Sequence, residues 1–365
     1  MINFILMFIL AFLFVSRGFF SFLDIFIWFY GFYCFFIYVR RNKIIIPFRL
    51  STPFLLFLIY IFVNCIVNNV LDFRIIYYFS IIIPLYFIFS LENKSTEYFV
   101  ISLGCILAVV FICSLLNLLQ ISDFNYMFYI RDGGIRASGL MYNPNYFAYS
   151  TFISFLLLDS FFSKGKIKLI LLFMMAFLIL LSFSRGVILG MLVYFVFKIK
   201  YKLIPIFVLL ILFFYLSNIF TLLDMNIDDL YKTLEYRLEN LKTGDLSGRV
   251  TTWIIGYEVW SLNLKNILFG FGFNNFIENT EYLGVSNTVH NSYLRMLYEF
   301  GILGFIFIVY LFYKFIETIS KNKIFLIFLP ILITWISNDF FIVKDTFLLI
   351  CILIVNSKHD WEGAR

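Results

Sequence analysis

A chain of 365 residues that is 62% hydrophobic and only 14% charged, with a mean hydropathy of +0.96, holds more apolar surface than a soluble core of that length can hide; it reads as an integral membrane protein and excludes a soluble globular one. The net charge of +6 is spread over short loops, which fits a positive-inside topology and gives no sign of a nucleic-acid partner. The five cysteines (Cys34, Cys65, Cys105, Cys113 and Cys351) fall inside apolar runs with no CxxC pair, so they read as small buried hydrophobes and not as a disulfide framework or metal site.

Taken in chain order, the apolar runs predict an all-α integral membrane protein with about 12 transmembrane helices. They lie near residues 2–16, 19–39, 50–71, 74–91, 98–119, 145–163, 167–183, 186–200, 203–222, 292–316, 324–338 and 344–356. The first run has no basic n-region and no A-x-A site, so it reads as a retained span. The seventh and eighth are counted separately, with a single span broken near Ser184-Arg185-Gly186 as the alternative. Short loops rich in Lys and Arg, including Arg40, Arg41, Lys164, Lys166 and Lys198, place both termini in the cytoplasm. The long polar stretch between spans 9 and 10 then faces the periplasm or cell exterior. The expected organisation is spans 1–9 over residues 1–222, a helical outer loop over 223–291, and spans 10–12 with a cytoplasmic tail over 292–365.

Two outer segments stand out. Residues 120–145 carry Arg131-Asp132-Gly133-Gly134-Ile135-Arg136 and end in Asn143-Pro144-Asn145, where Pro144 suits the first position of a helix. In the long loop, Ile227, Leu230, Leu234, Leu238 and Leu241 recur at helical spacing, as an amphipathic surface helix would require. Val250, Trp253, Ile254, Tyr257 and Trp260 predict a second loop helix with an aromatic face.

Four charged residues fall on the expected outer side: Arg136, Arg185, Arg249 and His290. An arginine near bilayer depth, as Arg185 is between two apolar runs, costs several kcal/mol unless it is paired or faces water. One reading is a diphosphate clamp, because a guanidinium grips phosphate oxygens in pairs; the other is a snorkelling arginine at a helix end. Arg249 reads as a second clamp or a solvated loop charge, and Arg136 as a third with Arg131 beside it. His290, one of two histidines, directly precedes a span and titrates near neutrality, so it reads either as a proton acceptor or as a residue flanking the helix. There is no Walker A loop, GxGxxG, HExxH or acidic pair at metal-ligand spacing on the outer side, so no nucleotide, cofactor or metal is expected.

Five stretches occur in a fixed order between residues 130 and 305: Arg136-Ala-Ser-Gly-Leu-Met-Tyr-Asn143-Pro144-Asn145; Ser182-Phe-Ser184-Arg185-Gly186; Gly248-Arg249 with Trp253; Leu268-Phe-Gly270-Phe-Gly272; and His290-Asn291-Ser-Tyr293-Leu294 with Glu299-Phe-Gly301-Ile-Leu-Gly304. Together they resemble the O-antigen ligase and O-antigen polymerase superfamily of bacterial envelope proteins. The resemblance implies a metal-independent inverting glycosyltransferase of the bacterial inner (plasma) membrane. Its donor would be an oligosaccharide linked to undecaprenyl diphosphate, met at the outer face. It implies that Arg185 and Arg249 hold the diphosphate, with Arg136 a further basic ligand, and that His290 is the base for the acceptor hydroxyl. Asn143, Asn145, Asn291, Tyr293 and Glu299 would be further substrate contacts. Membrane lipid and a chain-length regulator are the other partners it implies.

Divergence and Phe/Ile richness favour an O-antigen polymerase, whose acceptor is a second lipid-linked repeat unit. The alternatives are a ligase acting on lipid A core and a capsule or exopolysaccharide polymerase. A lipid-linked oligosaccharide flippase is the reading of a different class; no internal repeat supports it.

Overall fold

The computed structural model describes residues 2–16, 20–40, 48–70, 80–90, 94–119, 121, 125–131, 134–162, 165–199, 249–285, 288–318, 321–336, 338 and 344–362. Helices dominate: α1 (Ile2–Val15), α2 (Phe20–Arg40), α3 (Phe48–Asn68), α4 (Ile82–Ser90), α5 (Ser95–Leu118), α6 (Pro144–Phe161), α7 (Lys166–Leu181), α8 (Arg185–Ile199), α9 (Arg249–Ser261), α10 (Leu264–Phe269), α11 (Phe276–Thr280), α12 (Ser292–Thr318), α13 (Lys321–Thr334) and α14 (Lys344–Glu362). The apolar run at 203–222 and the amphipathic stretch Ile227–Leu241 lie outside the described residues.

Ser95–Leu118 and Ser292–Glu317 are long and apolar enough to cross a membrane; Asn3–Val15 and Leu55–Asn68 are shorter apolar helices. The faces left uncovered are themselves apolar. On α2, Phe29 is 75% and Phe36 68% exposed, and α7 leaves Ile167, Leu169, Ile170 and Phe173 exposed. Contiguous apolar faces of this kind suit hydrocarbon and not water, which fits a membrane protein.

Among the described residues, the architecture departs from all-α at one place. Strands β1 (Phe128–Arg131) and β2 (Gly134–Ala137) pair antiparallel, with Phe128 opposite Ala137 and Arg131 opposite Gly134. The aromatic and β-branched residues of Phe128-Tyr129-Ile130 suit a strand, and the sequence that follows them contains Asp-Gly, one of the dipeptides favoured in hairpins.

The chain forms two compact units. The first comprises Met1–Tyr30, Phe89–Lys242 and Leu326–Thr334. In it α1 packs on α5, and α5, α6 and α7 pack on one another. Helix α6 is its centre, buried continuously from Phe147 to Leu158. A Cβ at Gly104 of α5 would lie 3.1 Å from Leu171 and 3.3 Å from Leu158, so the glycine lets α5 approach both α7 and α6.

The second unit comprises Gly31–Ile88, Thr243–Phe325 and Trp335–Arg365. Its backbone is α12, which changes direction at Gly301 (φ 64°, ψ −174°), a conformation closed to other residues. A helix broken there strands carbonyls of the preceding turn, and those of Tyr298, Glu299 and Phe300 find donors from elsewhere. Phe271 N–H donates to Tyr298 O at 2.8 Å and Gly272 N–H to Glu299 O at 3.0 Å. The Tyr60 hydroxyl of α3 donates to Phe300 O, and Asn64, one turn further on, donates to Phe269 O. The Gly270-Phe-Gly272 turn and the Glu299-Phe-Gly301 break are therefore two halves of one joint. A Cβ on Gly270 (φ 72°) would sit 2.6 Å from Glu299 O, and one on Gly301 would collide with the Leu268 carbonyl. Val259, Trp260, Phe271, Phe276, Val285, Val289 and Tyr298 form the core beneath this joint, with Phe276 and Tyr298 stacked at 5.7 Å.

Candidate functional site

The residues singled out in the sequence fall into two groups, one in each unit. In the first unit the decisive stretch is the turn from α7 to α8. Ser182 N–H closes the last turn of α7 on Leu178 O at 3.1 Å, and Phe183 then takes a left-handed φ of 50°. The Ser182 hydroxyl donates to Ile179 O at 2.6 Å, and Ser184 N–H donates to Ser182 Oγ at 3.3 Å. Ser184 O accepts from Ile188 N–H at 2.9 Å, so Ser184 is the N-cap of α8 and Arg185 its first helical residue. The break expected near Ser184-Arg185-Gly186 is thus present, and the arginine opens the second helix.

Arg136, on β2, braces this turn. Its Nε donates to Ser182 O at 2.8 Å and its Nη2 to Asn145 Oδ1 at 2.9 Å. Asn143 is the N-cap of α6; its Oδ1 accepts from Asn145 N–H at 2.9 Å and Tyr146 N–H at 3.4 Å, with Pro144 next in the chain as expected. Three segments picked out by the sequence, the basic stretch ending at Arg136, the Asn-Pro-Asn start and the Ser-Phe-Ser-Arg turn, are therefore tied together by side chains.

Arg185 behaves differently from Arg136. Its Nη1 and Nη2 atoms are shielded from solvent and have no hydrogen-bond partner, and the same is true of Ser184 Oγ. A buried donor left unsatisfied costs about 1–3 kcal/mol, and more when it is charged. Structure that keeps such a group in place has chemistry suited to an anion.

In the second unit α9 begins at Arg249. One turn on, Trp253 donates its indole N–H to Val289 O at 2.7 Å, and Tyr298 donates its hydroxyl to Trp253 O at 2.9 Å. Because residues four apart share a helix face, Arg249 stands on the side of α9 that faces the segment leading into His290. The aromatic face expected here is divided. Trp260 is buried with Gly256 and Val259, whereas Val250, Ile254 and Tyr257 are exposed.

His290 is half-buried and carries a left-handed φ of 50°, uncommon for a residue with a side chain. Both flanks are pinned, by Trp253 at Val289 and by Ser292, whose N–H donates to Trp335 O at 2.9 Å and whose hydroxyl donates to Asn338 O at 2.7 Å. Nδ1 of His290 lies 3.5 Å from Thr288 Oγ1. The tautomer with hydrogen on Nδ1 leaves a lone pair on Nε2, the form a general base requires.

Asn291 caps α12: its Oδ1 accepts from Tyr293 N–H at 3.0 Å and Leu294 N–H at 3.1 Å. Tyr293 is half-buried with its ring 6.1 Å from that of Trp335. Glu299 is 1% exposed, and its Oε1 accepts from Arg295 Nε at 3.0 Å one turn earlier. Arg295 also reaches Asn274 Oδ1 at 3.4 Å and lies over the Phe273 ring. Arg295 was passed over in the sequence, although an Arg–Glu pair four apart in an apolar helix is a readable signal. Tyr60 and Asn64, also four apart in an apolar helix, carried the same kind of signal. No group of three His, Cys, Asp or Glu side chains able to hold a metal occurs among the described residues.

A family model described as O-antigen ligase matches residues 170–309. The match supports the O-antigen ligase and polymerase superfamily. It takes in Arg185, Arg249, His290 and the joint at Gly270 and Gly301, and stops short of Arg136 and Asn143. No curated protein matches the chain.

Proposed function

We propose that this chain transfers a glycan from a polyprenyl diphosphate, undecaprenyl diphosphate in bacteria, to a sugar hydroxyl at the outer face of the inner membrane. The observation that carries the reading is Arg185, a guanidinium held at a helix start with both terminal nitrogens shielded and unpartnered. The family match over the same residues supports it. In the reaction, His290 Nε2 accepts the proton of the acceptor hydroxyl as that oxygen bonds to the anomeric carbon. The bond from that carbon to the diphosphate oxygen breaks on the opposite face, with inversion. The departing diphosphate carries off the bonding pair, and Arg185 and Arg249 stabilise the charge as it grows, in place of a metal. Replacing His290 with Ala is expected to lower glycan transfer at least about 100-fold, the usual scale of a lost general base. Transfer retained in that variant would remove the base assignment.

The acceptor defines the enzyme. The sequence favours a polymerase, whose acceptor is another lipid-linked repeat; a ligase, whose acceptor is lipid A core, fits the family match equally well. A lipopolysaccharide gel of a strain lacking this gene separates them. Core bearing a single repeat with the ladder gone identifies a polymerase. Bare core with polymer left on its carrier identifies a ligase. An unchanged ladder points to capsule or exopolysaccharide, or to transport.

A further inference from the structure

The turn between α7 and α8 spends many of its polar groups on the ends of its own helices and on Arg136. Ser182 spends its N–H on Leu178, its hydroxyl on Ile179 and its carbonyl on Arg136. Phe183 N–H donates to Leu180 O at 3.0 Å, Ser184 N–H to Ser182 Oγ, and Ser184 O accepts from Ile188. Three buried side-chain atoms of the turn, Ser184 Oγ and Arg185 Nη1 and Nη2, are shielded and without a partner. Ser184 is only 1% exposed.

A serine at an N-cap ordinarily turns its hydroxyl onto the N–H of the second or third helical residue. Ser184 does not, and its hydroxyl has no other partner in the protein. The first-turn N–H groups of α8, a 15-residue helix, have no acceptor within the helix and form its positive end. A hydroxyl donor, a guanidinium and a helix N-terminus in adjacent residues share one complement, an oxyanion with several acceptor oxygens.

We propose that Ser184 is a second ligand of the donor's phosphate. Its Oγ–H donates to an oxygen of the same phosphate group that Arg185 grips, over the N-terminus of α8. The assignment rests on the reading of the chain as a transferase that uses a diphosphate-linked lipid. The chemistry recognised is a phosphoryl oxyanion, whether on a lipid or free.

The experiment uses the full chain in detergent, with donor kinetics for wild type, Ser184→Ala, Ser184→Thr and Arg185→Ala, and melting curves with and without inorganic pyrophosphate. Ser184→Ala removes an atom that bonds to nothing in the protein, so its unliganded melting temperature should equal or exceed that of wild type. Its donor kcat/KM should nevertheless fall about tenfold or more, the scale of one charge-assisted hydrogen bond, with Thr restoring it. A loss of function without a loss of stability is what a merely structural serine would not produce. Unchanged donor kinetics in Ser184→Ala, beside an impaired Arg185→Ala, would overturn the assignment and leave the transferase reading intact. Protection of wild type by pyrophosphate that vanishes in Ser184→Ala and Arg185→Ala, in a protein that transfers no glycan, would keep the anion niche and remove the transferase reading. Impaired kinetics without pyrophosphate protection would support the assignment with the diphosphate recognised only on its lipid.

Discussion

Residue charge alone does not separate a ligand from a brace. In the sequence Arg185 and Arg249 read as the diphosphate ligands and Arg136 as a further one, since each is a cation on the expected outer side. The structure separates two of them by their partners. Arg136 spends Nε on a backbone carbonyl and Nη2 on Asn145, whereas Arg185 keeps both terminal nitrogens unpartnered. The same distinction applies to carboxylates and amides: Glu299 answers Arg295, and Asn143 and Asn291 cap helices. Sequence shows which donors exist but not what they face across tens of residues. Arg136→Lys is therefore expected to lower transfer about tenfold or more, because a lysine ammonium cannot reproduce a planar fork that bridges a carbonyl and an amide. Asn145→Asp should leave activity within about twofold, because a carboxylate still accepts from Arg136, and more strongly. Transfer assays on both variants give the opposite pattern if Arg136 instead lends its charge to the diphosphate. Lysine would then serve, and the aspartate would compete with the donor.

At the scale of elements, what was readable was punctuation. Ser182-Phe-Ser184-Arg185-Gly186 read as a break, and α7 and α8 do part there; Asn143-Pro144 read as a helix start, and α6 does begin there. The pairing of 128–131 with 134–137 was missed because residues 120–145 read only as a polar outer stretch, valued for its basic residues and not for the Asp-Gly signal between two short runs. Less readable still was the pairing of Gly270-Phe-Gly272 with Glu299-Phe-Gly301, which look in the sequence like separate motifs. Both glycines have φ above +60°, and each would drive a Cβ into the other's strand of backbone. Gly301→Ala is thus expected to destabilise the protein by about 2 kcal/mol or more, combining backbone strain with a clash against the Leu268 carbonyl. Melting of the detergent-solubilised protein tests this. A variant as stable as wild type would show that α12 can run straight through residue 301 and that the joint is dispensable.

For the whole molecule, orientation in the bilayer ties topology to chemistry. Polyprenyl diphosphate glycans are polymerised or ligated on the outer face, so His290 and the segment that leads to it must face outward for the proposed reaction. The basic loops argue for that orientation, since Lys164 and Lys166 lie on the opposite side of the membrane from residues 281–284 in the topology read from charge. Positions suited to a test are at hand: Glu281 and Gly284 are exposed on the way to His290, and Lys166 is exposed at the start of α7. In a variant without the native cysteines, Glu281→Cys in intact cells stripped of the outer membrane barrier should react with a membrane-impermeant thiol reagent. Lys166→Cys should react only after the inner membrane is opened. Side chains at both positions are solvent-exposed, so reactivity reports sidedness and not burial. The reversed pattern would place His290 with the cytoplasm, where a hydroxyl acceptor on the outer face is out of reach, and the transfer reaction would then have to be abandoned even if every arginine variant behaved as expected.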